Sequence, residues 1–336
     1  MAGLDKFRKS QEKKGTPMGC APIPEWISSG NMALNYIVSG NMRNFLPVGR
    51  SVFLSGPKGS GKSYLMGNIV KQAIDKGYTC IYIDTEGAID ENFMTRIGVD
   101  IEGDKFITLR VYSIEQATDV VSDIFKSFGE GEKVGIFVDS LSNLETDTEI
   151  NKFDEGAIAN TMGLVQRKYK AFVKGINNRL DGKNMFAIYT THVYEAQDMY
   201  GPAFKVSGGT SIQFLPSIGV MLTSKPLKDG KALSGVTVNA TTYKTRYQQV
   251  GLKTTIEVPW TTGMDLYDGV IPVFEELGIL QRNGAWYSYP NKETGEVIKF
   301  QSKALSDHID ALIELYDDKA ESYEKDDLEA NLEVRE

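Results

Sequence analysis

Short, continuous apolar runs alternate along this chain with longer stretches in which apolar residues recur at helical spacing. The apolar runs, which are typical of strands buried on both faces, occupy residues 51–55, 79–84, 105–111, 133–139, 184–190 and 217–223. Between them, residues 114–128 and 161–178 place apolar side chains every three or four positions, which predicts amphipathic helices. This alternation predicts an α/β fold with a mostly parallel sheet covered by helices.

The pattern changes near both ends of the chain. Residues 1–28 begin with a basic, helix-compatible stretch and continue into a Pro-containing linker, so they are expected to form a lead-in to a core spanning 29–265. The last part of this core has shorter alternating strands at 236–243 and 254–258. Residues 266–313 are expected to form a small α+β domain.

Composition is that of an ordinary globular protein, with 41% hydrophobic and 24% charged residues among 336. No apolar run approaches the ~20 residues that cross a bilayer, and the amino terminus lacks the apolar centre of a secretory signal, so no membrane partner is predicted. The chain has two cysteines, Cys20 and Cys80, far apart and without metal-ligand spacing, which predicts a reduced, cytoplasmic setting.

Negative charge is concentrated at the carboxyl end. Residues 314–336 contain ten acidic and three basic side chains, a charge of −7 out of the total of −8. Such a segment is typical of a solvated, disordered tail. The remaining 313 residues carry only −1, so the body of the protein can still present a basic groove.

Residues 56–63, Gly-Pro-Lys-Gly-Ser-Gly-Lys-Ser, fit the phosphate-binding pattern G-x-x-x-x-G-K-[ST] between a predicted strand and a predicted helix. Glycines there let the backbone approach phosphate oxygens, and the following helix adds its dipole. Lys62 is expected to reach the β- and γ-phosphates, and the Ser63 hydroxyl to take one Mg²⁺ position. The predicted nucleotide-binding residues are Gly56, Pro57, Lys58, Gly59, Ser60, Gly61, Lys62, Ser63 and Tyr64.

Two carboxylates end neighbouring strand candidates. Asp139 follows the run Lys-Val-Gly-Ile-Phe-Val, where a carboxylate suits the Mg²⁺ shell beside a phosphate loop. Glu86 follows Ile-Tyr-Ile-Asp-Thr, where a carboxylate can orient the water that attacks the γ-phosphate. Together with the phosphate loop they predict hydrolysis of a nucleoside triphosphate.

A GTPase is an alternative interpretation of the same residues. Residues 84–87 match D-x-x-G, and residues 151–154 match the guanine-binding pattern N-K-x-D. However, in GTPases the second pattern follows a buried apolar strand, whereas here it follows the polar stretch 145–150. This interpretation also leaves Asp139 unused, so it ranks below an ATPase.

These motifs together resemble the RecA recombinase family, and most closely the UvsX recombinases of tailed bacteriophages. The resemblance spans about residues 27–290. Its motifs are the entry segment 27–35, the phosphate loop 56–63, the run from Asp84-Thr85-Glu86 to Arg96-Ile97-Gly98-Val99-Asp100, Asp139-Ser140-Leu141, Met162-Gly163-Leu164-Val165-Gln166-Arg167, and Gly284-Ala285-Trp286-Tyr287-Ser288-Tyr289.

The resemblance implies further roles around the nucleotide, which is then ATP with Mg²⁺. Phe93 would stack on the adenine, and Asp90 would accept a hydrogen bond from the adenine amino group. His192 would sense the γ-phosphate and link it to the loop that follows. Lys244 and Arg246 would extend to the ATP of a neighbouring subunit.

The resemblance also implies two DNA-binding loops, 143–161 and 194–209, and contacts from Arg167, Lys205, Gly208 and Gly209. The first loop is mostly acidic, so phosphate contacts would come partly from backbone N–H groups and neighbouring bases. Residues 1–28 would dock on the adjacent subunit, although no docking motif is identifiable there.

The function implied is that of a DNA-dependent ATPase that forms a helical filament on single-stranded DNA, pairs it with homologous duplex and exchanges strands in recombination and repair. Its partners would be both forms of DNA, further copies of itself, and single-strand-binding and loader proteins. If the chain is phage-encoded, its location would be the bacterial host cytoplasm. The alternatives are a ring helicase built on the same core and, less favoured, an ATP-gated regulatory protein.

Overall fold

The computed structural model describes residues 2–15, 23–87, 89–129, 131–158, 161, 163–195, 204–206, 212–230 and 232–333, with the backbone alone at 2, 195, 204–206 and 321–333. Its helices are α1 Ala2–Lys13, α2 Met32–Ser39, α3 Lys62–Asp75, α4 Glu91–Arg96, α5 Ile114–Ser127, α6 Asp147–Asp154, α7 Leu164–Leu180, α8 Val270–Glu276 and α9 Leu305–Glu333. Its strands are β1 Trp26–Ile27, β2 Leu46–Pro47, β3 Ser51–Gly56, β4 Thr79–Asp84, β5 Phe106–Arg110, β6 Val134–Asp139, β7 Met185–Glu195, β8 Phe204–Val206, β9 Ile218–Asp229, β10 Ala232–Lys244, β11 Lys253–Pro259, β12 Gln281–Asn283, β13 Trp286–Pro290 and β14 Val297–Gln301.

A large sheet organises the core, with strand order β11-β10-β9-β3-β7-β6-β4-β5 and β8 paired to β7. The strands from β9 to β5 in this order are parallel, and β10 and β11 add an antiparallel edge. The predicted α/β fold with a mostly parallel sheet is confirmed, and the six strand candidates all form strands of this sheet.

Alternate residues of the buried strands pack on opposite faces of the sheet, as the period of two requires. One face packs against α3, through residues such as Val52 and Tyr82. The other packs against α5 and α7, through residues such as Phe53 and Ile136. All six residues of β3 and of β6 are buried, which explains why these strands read as continuous apolar runs.

The small carboxyl-terminal domain contains the antiparallel sheet β12-β13-β14 together with α8 and α9. Its core joins Phe274, Tyr289 and Leu312 to residues of α2 in the large domain. The predicted small domain therefore does not end at residue 313.

Residues 314–333 of the predicted disordered tail lie in α9, which runs from Leu305 to Glu333, and residues 334–336 lie outside the described residues. Ile309, Leu312 and Tyr316 share one face of α9 and are buried against the small sheet. Two basic residues pair with the acidic face: Arg43 lies 2.5 Å from Asp317, and Lys292 contacts carboxylates one turn apart on α9. The sequence-based expectation relied on the net charge of the segment and did not take this apolar stripe into account.

Both predicted loops contain regular structure. Within 143–161, residues 147–154 form α6, whose first turn is closed by a capping box between Thr146 and Glu149. Two acidic residues of this predicted loop, Asp147 and Glu149, lie in the first turn, where negative charge stabilises the amino terminus of a helix. Within 194–209, β7 continues to Glu195 and pairs antiparallel with β8, while residues 196–203 and 207–211 lie outside the described residues.

Candidate functional site

The predicted phosphate loop joins the carboxyl end of β3 to the start of α3. Gly59 and Gly61 have φ of 75° and 89°, a left-handed conformation that favours glycine. A Cβ on Gly56 would collide with the carbonyl oxygen of Leu222 and with the Ser60 hydroxyl. Glycines therefore allow the close backbone packing of this loop, and a loop of this kind can bind phosphate through its N–H groups.

Lys62 is held inside this loop with only 6% of its surface exposed. Its Nζ donates to the carbonyl oxygens of Gly56 at 3.0 Å and Pro57 at 2.9 Å. Burial lowers the pKa of Lys62, and the charges of Asp139 and Glu86 oppose this shift. An ammonium group held by two carbonyl oxygens at the head of a helix is ready to exchange them for phosphate oxygens.

The hydroxyls of the loop also fit a phosphate ligand. Ser60 Oγ is buried and has no hydrogen-bond partner among the described residues. The next hydroxyl, that of Ser63, is on an exposed residue in the first turn of α3. A bound polyphosphate would give the Ser60 hydroxyl an acceptor, and Ser63 would be free to bind a cation.

The two predicted carboxylates lie at adjacent strand ends, because β4 and β6 are parallel and pair Asp84 with Asp139. Asp139 accepts a hydrogen bond from the Tyr82 hydroxyl at 2.6 Å and another from Thr190. Its position is therefore fixed by strands on both sides. Among the described residues no group of three or more His, Cys, Asp or Glu side chains could hold a metal, so a cation at Ser63 and Asp139 would need phosphate or water oxygens as further ligands.

Asp84 is a site residue that the sequence did not identify. Its Oδ1 accepts hydrogen bonds from the backbone N–H groups of Glu86 at 3.1 Å and Gly87 at 2.8 Å. These bonds form the turn that carries Glu86 from the strand end towards the phosphate loop. A carboxylate two residues before a candidate catalytic group is the feature that could have indicated it.

Glu86 lies at the centre of a hydrogen-bonded group. Its Oε1 accepts from the Ser140 hydroxyl at 2.8 Å and lies 3.1 Å from His192 Nε2. Partial burial acts to raise the pKa of Glu86, but the hydrogen bonds from Ser140 and His192 and the charges of His192 and Lys62 outweigh it and lower the pKa. Glu86 is therefore ionised at neutral pH. The sequence placed Ser140 in a motif without giving it this role.

The predicted adenine contacts lie together beside the phosphate loop. Asp90 caps α4 by accepting a hydrogen bond from the Phe93 N–H, and the Phe93 ring lies 4.8 Å from the ring of Tyr64. A turn after β11 approaches the same place, with Met264 N donating to the Tyr64 hydroxyl at 2.8 Å. That turn carries Trp260, which is 55% exposed and was not predicted as a site residue.

Lys244 and Arg246 lie on the side of the sheet where the parallel strands begin, at the opposite end of the strands from the phosphate loop. Lys244 ends β10 opposite Gly219, and its Nζ donates to the carbonyl oxygen of Phe214, just before β9 begins. Arg246 lines a cavity with Arg50 at the start of β3. Five residues of strand, about 16 Å, separate that start from Gly56. The structure therefore keeps these two bases away from the phosphate loop of their own chain.

The remaining DNA-binding predictions are only partly described. Arg167 is exposed on α7, where its Nε donates to the carbonyl oxygen of Gly163. Lys205 lies on β8 opposite Tyr194, and Gly208 and Gly209 lie outside the described residues. No described helix is both long and apolar enough to cross a membrane.

The guanine-binding pattern of the GTPase alternative lies on α6. Residues 151–154 form the last turn of this helix, and Phe153 within it is 79% exposed. They are thus not preceded by a buried strand, and they do not form the rigid loop that would grip a base. This geometry gives the GTPase interpretation no support.

Comparison with known proteins places this arrangement in a family. The family model described as the RecA N-terminal domain matches residues 20–265. The chain belongs to the RecA family. The protein RecA of Acholeplasma laidlawii is 27% identical over 293 residues, covering 87% of this chain and 85% of that protein. The protein RecA of Teredinibacter turnerae is 26% identical over 294 residues, covering 87% and 82%.

Membership in the RecA family agrees with the predicted chemistry at the family level, which is ATP hydrolysis with Mg²⁺ and DNA binding in recombination and repair. The matched region covers the phosphate loop, both carboxylates, His192 and the two bases at the far edge. It ends before α8, so the small domain lies beyond it.

Proposed function

We propose that this protein is a DNA-dependent ATPase that assembles head to tail into a helical filament on single-stranded DNA, pairs that DNA with a homologous duplex and exchanges strands. The observation that carries the proposal is the separation of Lys62 and Glu86 from Lys244 and Arg246, at opposite edges of one sheet. A hydrolytic site that combines all four needs a second copy, and a repeated head-to-tail contact builds an open filament wherever its rotation does not close into a ring.

The chemistry of hydrolysis follows from the residues at the carboxyl edge of the sheet. Backbone N–H groups of residues 56–63 and the Lys62 ammonium would bind the phosphates. Ser63 and Asp139 would hold Mg²⁺, which would neutralise charge on the phosphate oxygens. The Glu86 carboxylate, ionised at neutral pH, would orient the attacking water and accept its proton.

His192 is the proposed connection between the nucleotide and DNA. Its Nε2 lies 3.1 Å from Glu86, and its backbone N–H donates to the Ser142 hydroxyl at 3.1 Å. It stands on β7 three residues before the end of that strand, where the second predicted DNA-binding loop follows. A change at the γ-phosphate that moves Glu86 would thus be transmitted along β7.

The proposed DNA contacts combine bases and stacking side chains. Exposed aromatic residues stand in both loops, with Phe153 79% and Tyr194 56% exposed, and Arg167 is exposed on the adjoining helix. Aromatic rings stack on any base and so bind single strands without sequence preference. Sequence specificity would come from base pairing between the two DNA molecules.

The lead-in helix α1 is the proposed docking element between copies. Leu4 and Phe7 lie one turn apart and are 55% and 59% exposed, beside basic residues of the same helix. A cavity of about 560 Å³ on the core offers an exposed aromatic ring, Tyr112, among carboxylates; they are Glu115, Asp119, Glu145 and Asp147. Its charge complements that of α1, which supports this face as the acceptor in a neighbouring copy.

Within the RecA family, the motifs resemble those of the UvsX recombinases of tailed bacteriophages, including His192 at the end of β7. We propose that the protein acts in that setting, in the host cell, with single-strand-binding and loader proteins as partners. The runner-up is a ring helicase on the same core. The domain formed by α8, β12–β14 and α9 favours the recombinase.

Electron microscopy of the protein with single-stranded DNA and a non-hydrolysable ATP analogue tests the proposal. Continuous helical filaments are expected, with stronger assembly in the presence of the analogue. Closed rings, together with unwinding of a duplex that has a displaced tail, would establish the helicase instead. Filaments without any ATP turnover would indicate an ATP-gated DNA-binding protein.

A further inference from the structure

A cavity of about 480 Å³ opens at the amino-terminal edge of the large sheet, beside the end of α7 and the segment before β9. This is the edge opposite the phosphate loop, and none of the residues discussed in hydrolysis on the chain's own nucleotide lines it. Its polar lining residues include Arg50, Ser51, Asn177, Asp181, Ser217 and Arg246.

Positive charge is concentrated around this cavity. Arg50 and Arg246 line it, and Lys244, two residues before Arg246, is close enough that Arg246 adds to the lowering of its pKa after the larger effect of burial. Asp181 is the carboxylate among the described lining residues. Three cations against one carboxylate repel one another, and a bound anion would relieve that repulsion.

Arg50 is held in place and still has donors to offer. Its Nη1 donates to Asp181 Oδ1 at 2.7 Å and to the carbonyl oxygen of Gly49 at 2.8 Å. A guanidinium carries five N–H donors in a fixed plane. These two bonds from Nη1 therefore orient the group and leave other N–H donors able to bind a ligand. Oriented guanidinium groups are suited to binding phosphate oxygens.

Two buried polar atoms at the cavity lack partners. Ser51, only 2% exposed, has a hydroxyl with no hydrogen-bond partner among the described residues, and the same holds for Asn177 Oδ1. The Asn177 amide is oriented by donation from its Nδ2 to the carbonyl oxygen of Leu215 at 3.0 Å. Buried polar atoms are normally paired, and a phosphate oxygen at this cavity would give the Ser51 hydroxyl an acceptor.

We propose that this cavity binds phosphate oxygens of the nucleotide held by the neighbouring copy, with Arg50 as a third cation beside Lys244 and Arg246. This rests on the proposed head-to-tail filament. The ligand cannot be the chain's own nucleotide, because that phosphate loop lies at the other end of β3. The proposed head-to-tail contact would bring the amino-terminal ends of the parallel strands in one copy against the phosphate loop of the next copy.

The test mixes chains that are defective in different residues. Arg50→Gln should lower DNA-stimulated ATP turnover on the order of 10²-fold, as loss of a donor to developing charge does. Mixing it with Glu86→Gln chains should restore about a quarter of wild-type turnover, the share of interfaces at which an intact Glu86 meets an intact Arg50 in a random head-to-tail assembly. A misfolded Arg50→Gln chain could not supply that Glu86, so recovery also shows that the variant folds.

Two variants separate this role from a structural one. Asp181→Asn breaks the same ion pair but keeps the cation, and its loss of turnover should stay within about threefold, as expected for an exposed ion pair. Arg179→Gln makes the same charge change on an arginine outside the cavity lining and should behave like wild type. If Asp181→Asn lost as much turnover as Arg50→Gln, Arg50 would act only through its ion pair and the proposal would be wrong.

The same phosphate chemistry could come from DNA, and a salt series distinguishes the two sources. Binding of a short single-stranded oligonucleotide without nucleotide should show the same salt dependence for Arg50→Gln and wild type. A slope smaller by about one in the variant would mean a DNA phosphate contact and would overturn the proposal.

If turnover recovers when Lys244→Ala/Arg246→Ala chains are mixed with Glu86→Gln chains but not when Arg50→Gln chains are, the site between subunits forms without a role for Arg50. If turnover recovers in neither mixture, the proposal of a hydrolytic site shared between subunits is wrong as well.

Discussion

At the scale of single residues, the hydrogen bonds of the candidate site converge on one carboxylate oxygen, Oε1 of Glu86. Oε1 of Glu86 accepts a hydrogen bond from the Ser140 hydroxyl and lies 3.1 Å from His192 Nε2. Asp84 stabilises the turn before it by accepting a hydrogen bond from the Glu86 N–H. These contacts keep Glu86 ionised and aimed before any ligand arrives. An oriented, ionised carboxylate beside a phosphate loop is prepared to polarise water.

Replacing Glu86 with Gln keeps the shape and the hydrogen bond from Ser140 but removes the basic oxygen. ATP turnover should fall by about 10²–10⁴-fold while ATP affinity remains that of wild type. Lys62→Ala is the contrasting variant, because it should weaken ATP binding itself. Equilibrium binding and steady-state turnover measure the two effects, and wild-type turnover in Glu86→Gln would make Glu86 a structural carboxylate.

Ser140 should control the pH at which Glu86 works. Its hydrogen bond helps to lower the pKa of Glu86, so Ser140→Ala should raise that pKa. A carboxylate base is lost as pH falls through its pKa, and the acid limb of the turnover profile should therefore move to higher pH. Ser142→Ala is the comparison and should move the acid limb less, since the Ser142 hydroxyl lies 3.2 Å from Ser140 Oγ and accepts from His192 N but is not bonded to Glu86. Coincident acid limbs in Ser140→Ala and wild type would contradict this role.

At the scale of elements, the parallel strands were predictable from sequence because burial on both faces leaves a continuous apolar run. β3, β4 and β6 have this pattern, and the positions of the predicted catalytic groups at their ends follow from it. α6 was not predicted because its stability comes from a capping box and not from an apolar stripe. The cavity lined by Arg50 and Arg246 was not predictable, since it joins residues distant in sequence, at the ends of β3, α7, β9 and β10.

The antiparallel strand β10 packs closely against β9 at Gly219. The ring of Tyr243 on β10 lies 2.4 Å from the position of a Cβ added to Gly219 of β9. The Tyr243 hydroxyl is hydrogen-bonded to Ser55 Oγ at 3.1 Å, next to the phosphate loop. Gly219→Ala should therefore destabilise the protein by about 1–3 kcal/mol through overpacking. Denaturant unfolding measures this change.

A second glycine provides the matched control for that substitution. Gly175 lies inside α7, where an added Cβ would approach only the end of Arg179 at 3.7 Å. Gly175→Ala should stabilise the protein by about 0.5–1 kcal/mol, because alanine loses less entropy than glycine in a helix. Adding Tyr243→Leu to Gly219→Ala should recover part of the lost stability. Equal effects of the two alanine substitutions would mean that Tyr243 does not constrain Gly219.

At the scale of the whole molecule, negative charge is carried on the end of α9. Residues 321–336 contain seven acidic and two basic side chains. Removing them should strengthen binding of single-stranded DNA, most clearly at low salt, because this charge competes with DNA for basic surface. Truncation after Ile313 should instead destabilise the fold, since it also removes the buried Tyr316. Equal DNA affinity of the full and the shorter chain across a salt series would exclude this competition.

In the proposed filament, the predicted hydrolytic residues are divided between the two ends of the parallel strands, so turnover is expected to depend on the assembly. A cation supplied by a neighbour at the γ-phosphate is worth about 10³–10⁵ in rate. Turnover should therefore rise steeply with protein concentration, and with DNA that templates assembly. On this proposal an isolated chain would turn over ATP slowly, because Lys244 and Arg246 lie at the opposite end of the strands from its own Glu86.

Mixing two inactive chains tests this directly. Lys244→Ala/Arg246→Ala chains retain Glu86, and Glu86→Gln chains retain both bases, so each should be nearly inactive alone. In a random head-to-tail mixture, about a quarter of the interfaces combine the intact halves, and turnover should return to that fraction of wild type. Each chain mixed with itself at the same total concentration is the control. Co-assembly on DNA without recovery of turnover would show that Lys244 and Arg246 do not act across the subunit boundary.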